Sequence, residues 1–212
     1  MKARKREKGP AGKGNNPWWD HYAEKAQKEG YPARSVYKLQ EIHEKFRVLA
    51  PGRKVLDLGC SPGSWLLFAY RTVGPSGRVT GVDLKETDAT AMPGARVILG
   101  DATEPEVLAE LSRGFDVVLS DMAPNTSGNR SLDALRSAGL AEAALWVAGQ
   151  VLLPGGTFVC KIFQGQGFEE FMAQVRTRFE KTRLFKPKST RSESREIYVV
   201  GMGSLESGVW SL

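Results

Sequence analysis

Short apolar runs alternate along this chain with longer stretches in which apolar residues return every three or four positions. The runs at 54–58, 78–83, 95–99, 115–119 and 157–162 are rich in Val, Leu, Ile and Phe and alternate little with polar residues. That pattern predicts strands buried on both faces of a sheet. The stretches at 65–73, 104–111, 132–151 and 167–180 carry helical spacing and predict helices between the strands. Ahead of them, Pro17 opens a helix from Trp18 to about Glu29 that Gly30 ends, and Arg34-Ser35 starts a second, running to about Phe46. Val36, Leu39, Ile42, His43 and Phe46 form the apolar stripe of this second helix, with His43 as packing. Lys38 lies beside the stripe and can reach inward over the domain edge. Pro51-Gly52, the segment 74–77 and Pro154-Gly155-Gly156 read as turns. Leu184-Phe185 and the run 197–200 close the sheet as a hairpin pair. Strands alternating with helices define a single-domain α/β fold, Rossmann-like, with a mostly parallel sheet, helices on both faces and a C-terminal antiparallel strand. A chain of 212 residues fits one such domain. The expected division is an arm at 1–16, a domain at 17–203 and a short tail at 204–212.

One stretch organises the rest. Residues 55–65 read V-L-D-L-G-C-S-P-G-S-W. A buried strand runs into a loop bounded by Gly59 and Gly63, and Ser64 is placed to cap the helix that follows. Strand, glycine loop and helix in this order form the nucleotide-binding corner of a doubly wound sheet. The spacing is wrong for a dinucleotide: G-x-G-x-x-G is required, and here Ser61 stands where the middle glycine belongs. This disfavours a nicotinamide-dependent oxidoreductase of the same fold. The loop suits a nucleoside without a pyrophosphate, and S-adenosylmethionine is the obvious candidate.

Composition narrows the setting. With 41% hydrophobic and 25% charged residues the chain is ordinary for a globular protein. It has no apolar run long enough to span a bilayer, and its basic N-terminal stretch lacks the apolar segment of a secretory signal. Two cysteines, Cys60 and Cys160, make no disulfide framework, read as packing residues, and fit a reducing cytoplasm. A monomer with no membrane contact is expected. The net charge of +6 has a distribution that matters more than its total. Lys2, Arg4, Lys5, Arg6, Lys8 and Lys13 crowd the arm; Arg176, Arg178, Lys181, Arg183, Lys186, Lys188, Arg191 and Arg195 crowd the last quarter. Two such clusters point to a nucleic-acid partner, with affinity that falls steeply with salt. A non-catalytic RNA-binding or ribosome-assembly module shares this charge pattern and differs in tolerating loss of the cleft residues.

Ligands of parallel sheets bind beyond the carboxyl ends of the strands, and the polar residues there stand out. Asp57 is near the end of the first strand, Asp83 ends the second, Asp101 follows the third and Asp121 the fourth. Asp83 lies at the distance past the loop that suits a carboxylate accepting from both ribose hydroxyls. Asp101 is placed to accept from an adenine amino group, and Trp65 to stack or line the pocket. Lys161 interrupts an apolar strand, F-V-C-K-I-F. Lysine is almost never buried there without a partner, and burial beside another cation such as Lys38 favours the neutral amine that accepts a proton. Asp121 and Glu196 balance and aim the cluster. No Cys/His cluster is spaced to hold a metal, and none is expected.

The motifs Arg34-Ser-Val-Tyr-Lys38-Leu, Asp57-Leu-Gly-Cys-Ser-Pro-Gly63-Ser-Trp65, Ser120-Asp121-Met-Ala-Pro-Asn125, Lys161-Ile-Phe-Gln-Gly165 and Ser194-Arg-Glu196-Ile-Tyr together resemble the FtsJ/RrmJ family of ribosomal-RNA 2′-O-methyltransferases. The resemblance runs from about Trp18 to Gly201. It implies a class I S-adenosylmethionine-dependent methyltransferase. It implies a catalytic tetrad of Lys38, Asp121, Lys161 and Glu196 with Lys161 as general base. It also implies cofactor contacts from Gly63, Trp65, Asp83, Asp101 and Asp121. The implied target is a uridine ribose of large-subunit ribosomal RNA, in the loop that receives aminoacyl-tRNA. The chain departs from the family's usual A-A-P-G-G-W loop at Cys60-Ser61 and Ser64, and its segment 87–94 is unlike the usual one.

Overall fold

The computed structural model describes residues 17–111 and 113–205, with the backbone alone at 17–20. The arm expected at 1–16 and most of the tail lie outside these residues. The described chain runs α1 (Pro17–Lys28), α2 (Val36–Phe46), β1 (Lys54–Leu58), α3 (Ser64–Val73), β2 (Arg78–Asp83), β3 (Arg96–Leu99), α4 (Pro105–Glu110), β4 (Phe115–Ser120), α5 (Arg130–Val151), β5 (Leu152–Phe163), α6 (Phe168–Arg178), β6 (Phe179–Phe185) and β7 (Glu196–Ser204). None of the described helices is long and apolar enough to cross a membrane.

The strands form one seven-stranded sheet in the order β3-β2-β1-β4-β5-β7-β6. β1 to β5 pair in parallel, and β7 enters antiparallel between β5 and β6. Chain order reverses between β1 and β4, so the crevice of a doubly wound sheet opens there. Two apolar layers flank the sheet. One joins α2 and α3 to Val55, Val117, Leu119, Val159, Tyr198 and Val200. The other joins α4, α5 and α6 to Leu56, Val118, Phe158, Cys160, Ile162 and Val199. Strand residues alternate between the layers because successive side chains point to opposite faces. By that alternation Asp57, Asp121 and Lys161 fall on the α2/α3 side with Tyr198.

Several boundaries differ from the sequence expectation. Ser64 is the first helical residue of α3 and not its cap. Gly63 holds the cap position at φ +103°, and the Ser64 hydroxyl accepts from the Ala33 N–H at 2.7 Å, pinning the α1–α2 connection onto α3. The Pro154-Gly155-Gly156 turn lies within β5, which starts at Leu152 and crosses an irregularity in its pairing with β4. α6 stops at Arg178, and the polar residues after it join β6, pairing Lys181 with Met202 and Arg183 with Val200. β7 includes Ser204, one residue past the expected end of the domain. His43 packs its ring edge on Phe68, and its Nδ1 accepts from the Leu49 N–H at 3.3 Å.

Candidate active site

The corner after β1 is set by close packing. Gly59 has φ +74°, and a Cβ there would stand 2.5 Å from Met122 Cγ. The loop after β1 therefore lies directly against the residue that follows Asp121. Gly59 and Cys60 both donate backbone N–H groups to the Val82 carbonyl, at 2.8 and 3.2 Å. Gly81 in β2 makes room for Cys60, whose sulfur a Cβ would meet at 2.7 Å. Both cysteines are buried and unpaired. Burial pushes each thiol up to about 12, so neither is a nucleophile at neutral pH.

Asp57, Asp83 and Asp121 come together at this corner, the last two acting on the first. Asp57 is 0% exposed, and its side-chain oxygens meet no donor in good hydrogen-bond geometry, the Leu66 amide coming nearest to supplying one. Burial raises its pKa well above the ordinary range, the charges of Asp121 and Asp83 add to the rise, and the Leu66 amide alone works against it. Asp83 Oδ2 accepts from the Ser61 N–H and Oδ1 from the Lys85 N–H, both at 2.9 Å, which fixes the carboxylate beside the glycine loop with lone pairs to spare. Asp101, further along the strand ends, accepts from the N–H and hydroxyl of Thr103 through Oδ1. Asp57, Asp83 and Asp121 gathered at one corner disfavour a pyrophosphate and favour a cation. An orphaned buried carboxyl and a positive-φ loop with close backbone approach fit a nucleoside carrying a sulfonium and an ammonium.

Beyond the crevice lies a connected set of charges. Lys161, 5% exposed, places Nζ 3.0 Å from Asp121 Oδ1 and also donates to the Asp121 carbonyl. Lys38 Nζ reaches from α2 to Glu196 Oε1 at 2.6 Å. β7 runs opposite to its neighbours, so its first residues meet the carboxyl ends of the others. Glu196 thereby joins Lys161 and Asp121 although it is remote in sequence. Burial on its own would raise Asp121. Lys161, then Lys38 and the hydrogen bonds from Tyr198 and Lys161, outweigh it and hold the carboxyl below its usual range. The structure thus brings Lys38, Asp121, Lys161 and Glu196 into one cluster, with Gly63 and Asp83 at the adjoining corner and Asp101 further out. Trp65 is 3% exposed. Its indole N–H donates to the Ser35 carbonyl at 2.8 Å, and its ring packs 5.7 Å from that of Tyr198, backing the cluster from the core.

Two members were not expected from sequence. The Tyr198 hydroxyl lies 2.6 Å from Asp121 Oδ1 and 3.1 Å from Glu196 Oε1, bridging the two ion pairs. It has one proton, and the shorter contact shows where that proton is best held. Thr190 Oγ1 sits 3.4 Å from the same Glu196 oxygen. A signal existed for Tyr198: Glu196 and Tyr198 are two apart on a strand and so share a face. The antiparallel register pairing Tyr198 with Lys161 was not readable without the fold.

The parallel sheet with its inserted antiparallel strand, the glycine corner and the acidic crevice define a class I methyltransferase fold. Within that class the chain belongs to the FtsJ-like methyltransferase family, whose model matches residues 31–204. It is 60% identical over 191 residues to the ribosomal RNA large subunit methyltransferase E of Desulfatibacillum aliphaticivorans, covering 89% of this chain and 92% of that protein. It is 46% identical to the protein of the same name from Acinetobacter baylyi, covering 87% of each. Among solved structures, a Plasmodium falciparum protein provisionally described as a ribosomal RNA methyltransferase superposes with a TM-score of 0.74 at 29% identity, covering 83% of this chain and 100% of that one. Aeropyrum pernix fibrillarin, solved with S-adenosyl-L-methionine, shares the fold alone: TM-score 0.54, 17% identity, 79% of this chain and 76% of that one.

Proposed function

We propose that the protein transfers a methyl group from S-adenosylmethionine to the ribose 2′-hydroxyl of a uridine in large-subunit ribosomal RNA, with Lys161 as general base. The observation that carries this is a nearly buried amine at the end of β5, aimed by Asp121 and facing a second Lys–Glu pair. The relatives named for ribosomal RNA methylation support the substrate class. Gly63, Asp83 and Asp101 would hold the nucleoside, and Asp57, Asp83 and Asp121 its positive charge. The cofactor supplies an electrophilic methyl on sulfur.

The chain's own part is to align and deprotonate. Lys161 Nζ would take the 2′-hydroxyl proton as that oxygen attacks the methyl carbon that the bound cofactor would supply, and Asp121 would offset the charge that Nζ gains. Asp121, 3.0 Å away, holds Nζ in place. Lys38 and Glu196 line the approach of the ribose, and Tyr198 keeps the two pairs in register. A positioned base contributes about a hundred- to ten-thousandfold. Phosphates would be held by the arm and by the cationic residues between Arg176 and Arg195, in the cytoplasm, by a monomer.

The test is transfer of labelled methyl to purified ribosomal subunits, followed by mapping of the modified ribose. Lys161→Ala is expected to remove turnover while leaving cofactor affinity within about threefold. Wild-type-like transfer by that variant would rule out Lys161 as base, and a wild-type protein that binds subunits but never methylates them would leave the assembly-module reading.

A further inference from the structure

A cavity of about 580 Å³ opens away from the crevice, between α1, α2 and the segment after β6. Its walls include the aromatic rings of Tyr22, Tyr37 and Phe185 and the amines of Lys25, Lys45 and Lys188. The rings of Tyr22 and Tyr37 lie 5.3 Å apart. Lys25 Nζ stands 4.6 Å over the Tyr37 ring, and Lys45 Nζ 4.6 Å over the Phe185 ring. Aromatic faces interleaved with ammonium groups are what single-stranded nucleic acid requires: a π-face for a base and a cation for its phosphate. The volume falls in the range of cavities that take small organic ligands, about 300–1,000 Å³.

The cavity is built into the same clamp as the active site. Glu41, on its wall, accepts the backbone N–H groups of Lys188 at 2.6 Å and Ser189 at 2.9 Å, fastening the segment after β6 onto α2. Two residues further along that segment, Thr190 contacts Glu196. On α2, Lys38 follows Tyr37 directly and reaches the same Glu196. One helix and one loop therefore present their outer faces to the cavity and their inner ends to the tetrad.

Resting on the RNA-methyltransferase reading above, we propose that this cavity holds an unpaired nucleotide of the RNA flanking the methylated ribose. Its base lies against Phe185 and Tyr22, and its phosphate is met by Lys25 and Lys45. The acids on the wall do not oppose this. Glu41 is already engaged by two amide donors, and carboxylates there accept from exocyclic amino groups of a base.

The test separates this cavity from general electrostatics and from the reading it rests on. The paired substitution Lys25→Ala/Lys45→Ala is compared with Lys54→Ala/Arg78→Ala, which removes two exposed cations at the far, amino end of the sheet. Binding to large-subunit RNA and methyl transfer are measured for both. The cavity pair is expected to raise KM for RNA about tenfold or more while kcat at saturating RNA and cofactor affinity stay within twofold, and the control pair to change KM less than threefold. Phe185→Leu keeps the apolar contact with the core but loses the stacking face, and should weaken RNA binding about fivefold or more at unchanged net charge. A photoreactive phenylalanine analogue at Tyr22 should cross-link to RNA within a few nucleotides of the modified ribose. Equal weakening by both lysine pairs, an unchanged Phe185→Leu variant, or cross-linking to ribosomal protein instead of RNA would each overturn the proposal. Failure of the wild-type protein to methylate RNA would instead sink the reading beneath it.

Discussion

Tyr198→Phe isolates the bridge between the two ion pairs. The residue is fully buried, so the phenyl ring refills the site and only the oxygen is lost. Asp121 Oδ1 keeps Lys161 at 3.0 Å and Glu196 Oε1 keeps Lys38 at 2.6 Å, so neither carboxylate is left without a cation. What disappears is one hydrogen bond to a charged acceptor, worth about 1.5–3 kcal/mol. For a domain of this size that lowers Tm by about 3–12 °C. If most of the same energy serves to keep Nζ of Lys161 in line, kcat falls about ten- to a hundredfold. Cofactor affinity should hold within twofold, because Asp83 and the glycine loop are untouched. A merely structural tyrosine would leave the pH profile alone, whereas this one should shift it. Its hydrogen bond helps hold Asp121 below the usual carboxylate range. Asp121 therefore contributes stability above its unfolded pKa and loses it as pH falls through its folded value. Without the hydroxyl that folded value rises, so both unfolding and loss of activity begin at higher pH. The assay is single-turnover methyl transfer across pH 5–9, beside thermal melts. A variant with reduced Tm but wild-type rate and pH profile would refute the reasoning.

Asp83→Ala should weaken S-adenosylmethionine binding at least tenfold by calorimetry and lower Tm through the loss of its two amide contacts; unchanged affinity would exclude it from the ribose contact. Asp57→Asn tests the orphaned carboxyl through linkage. A folded pKa raised above the unfolded one gives stability that is complete below pH 4 and lost as pH climbs through the folded value. Measured by urea unfolding, the variant should therefore gain on the wild type as pH rises above the ordinary carboxylate range, whatever its absolute stability, and parallel curves would contradict the shift. Gly59→Ala places a Cβ 2.5 Å from Met122 Cγ at φ +74°. It should cost about 2–4 kcal/mol in denaturant unfolding and slow transfer by displacing Asp121; a loss under about 0.5 kcal/mol would mean the corner is looser than drawn.

Much of the framework was legible because it is local. β1 and β2 match their expected spans, since an apolar run ending at a glycine or a carboxylate leaves little choice. Lys161 was conspicuous because a charge in an apolar strand needs a partner. The elements that were misread depend on distant pairing. The residues after α6 are polar and look like a helix end, yet β7 supplies the ladder that makes them β6. Pro154-Gly155-Gly156 carries turn chemistry, and only β4 alongside it makes the segment part of β5. Tyr198 stands out in sequence only as the last residue of the Ser194-Arg-Glu196-Ile-Tyr motif. Its meaning comes from facing Lys161 across an antiparallel register, which no periodicity reveals.

That β7 slots between β5 and β6 also fixes when the enzyme can come into being. Its glycine corner and the carboxylates around it are encoded before Asn125, whereas Glu196 and Tyr198 arrive with β7, about 70 residues later. A growing polypeptide therefore carries the glycine corner and its carboxylates well before the residues that join Lys38 to Asp121 have been made, and the charge cluster closes only when that strand threads home.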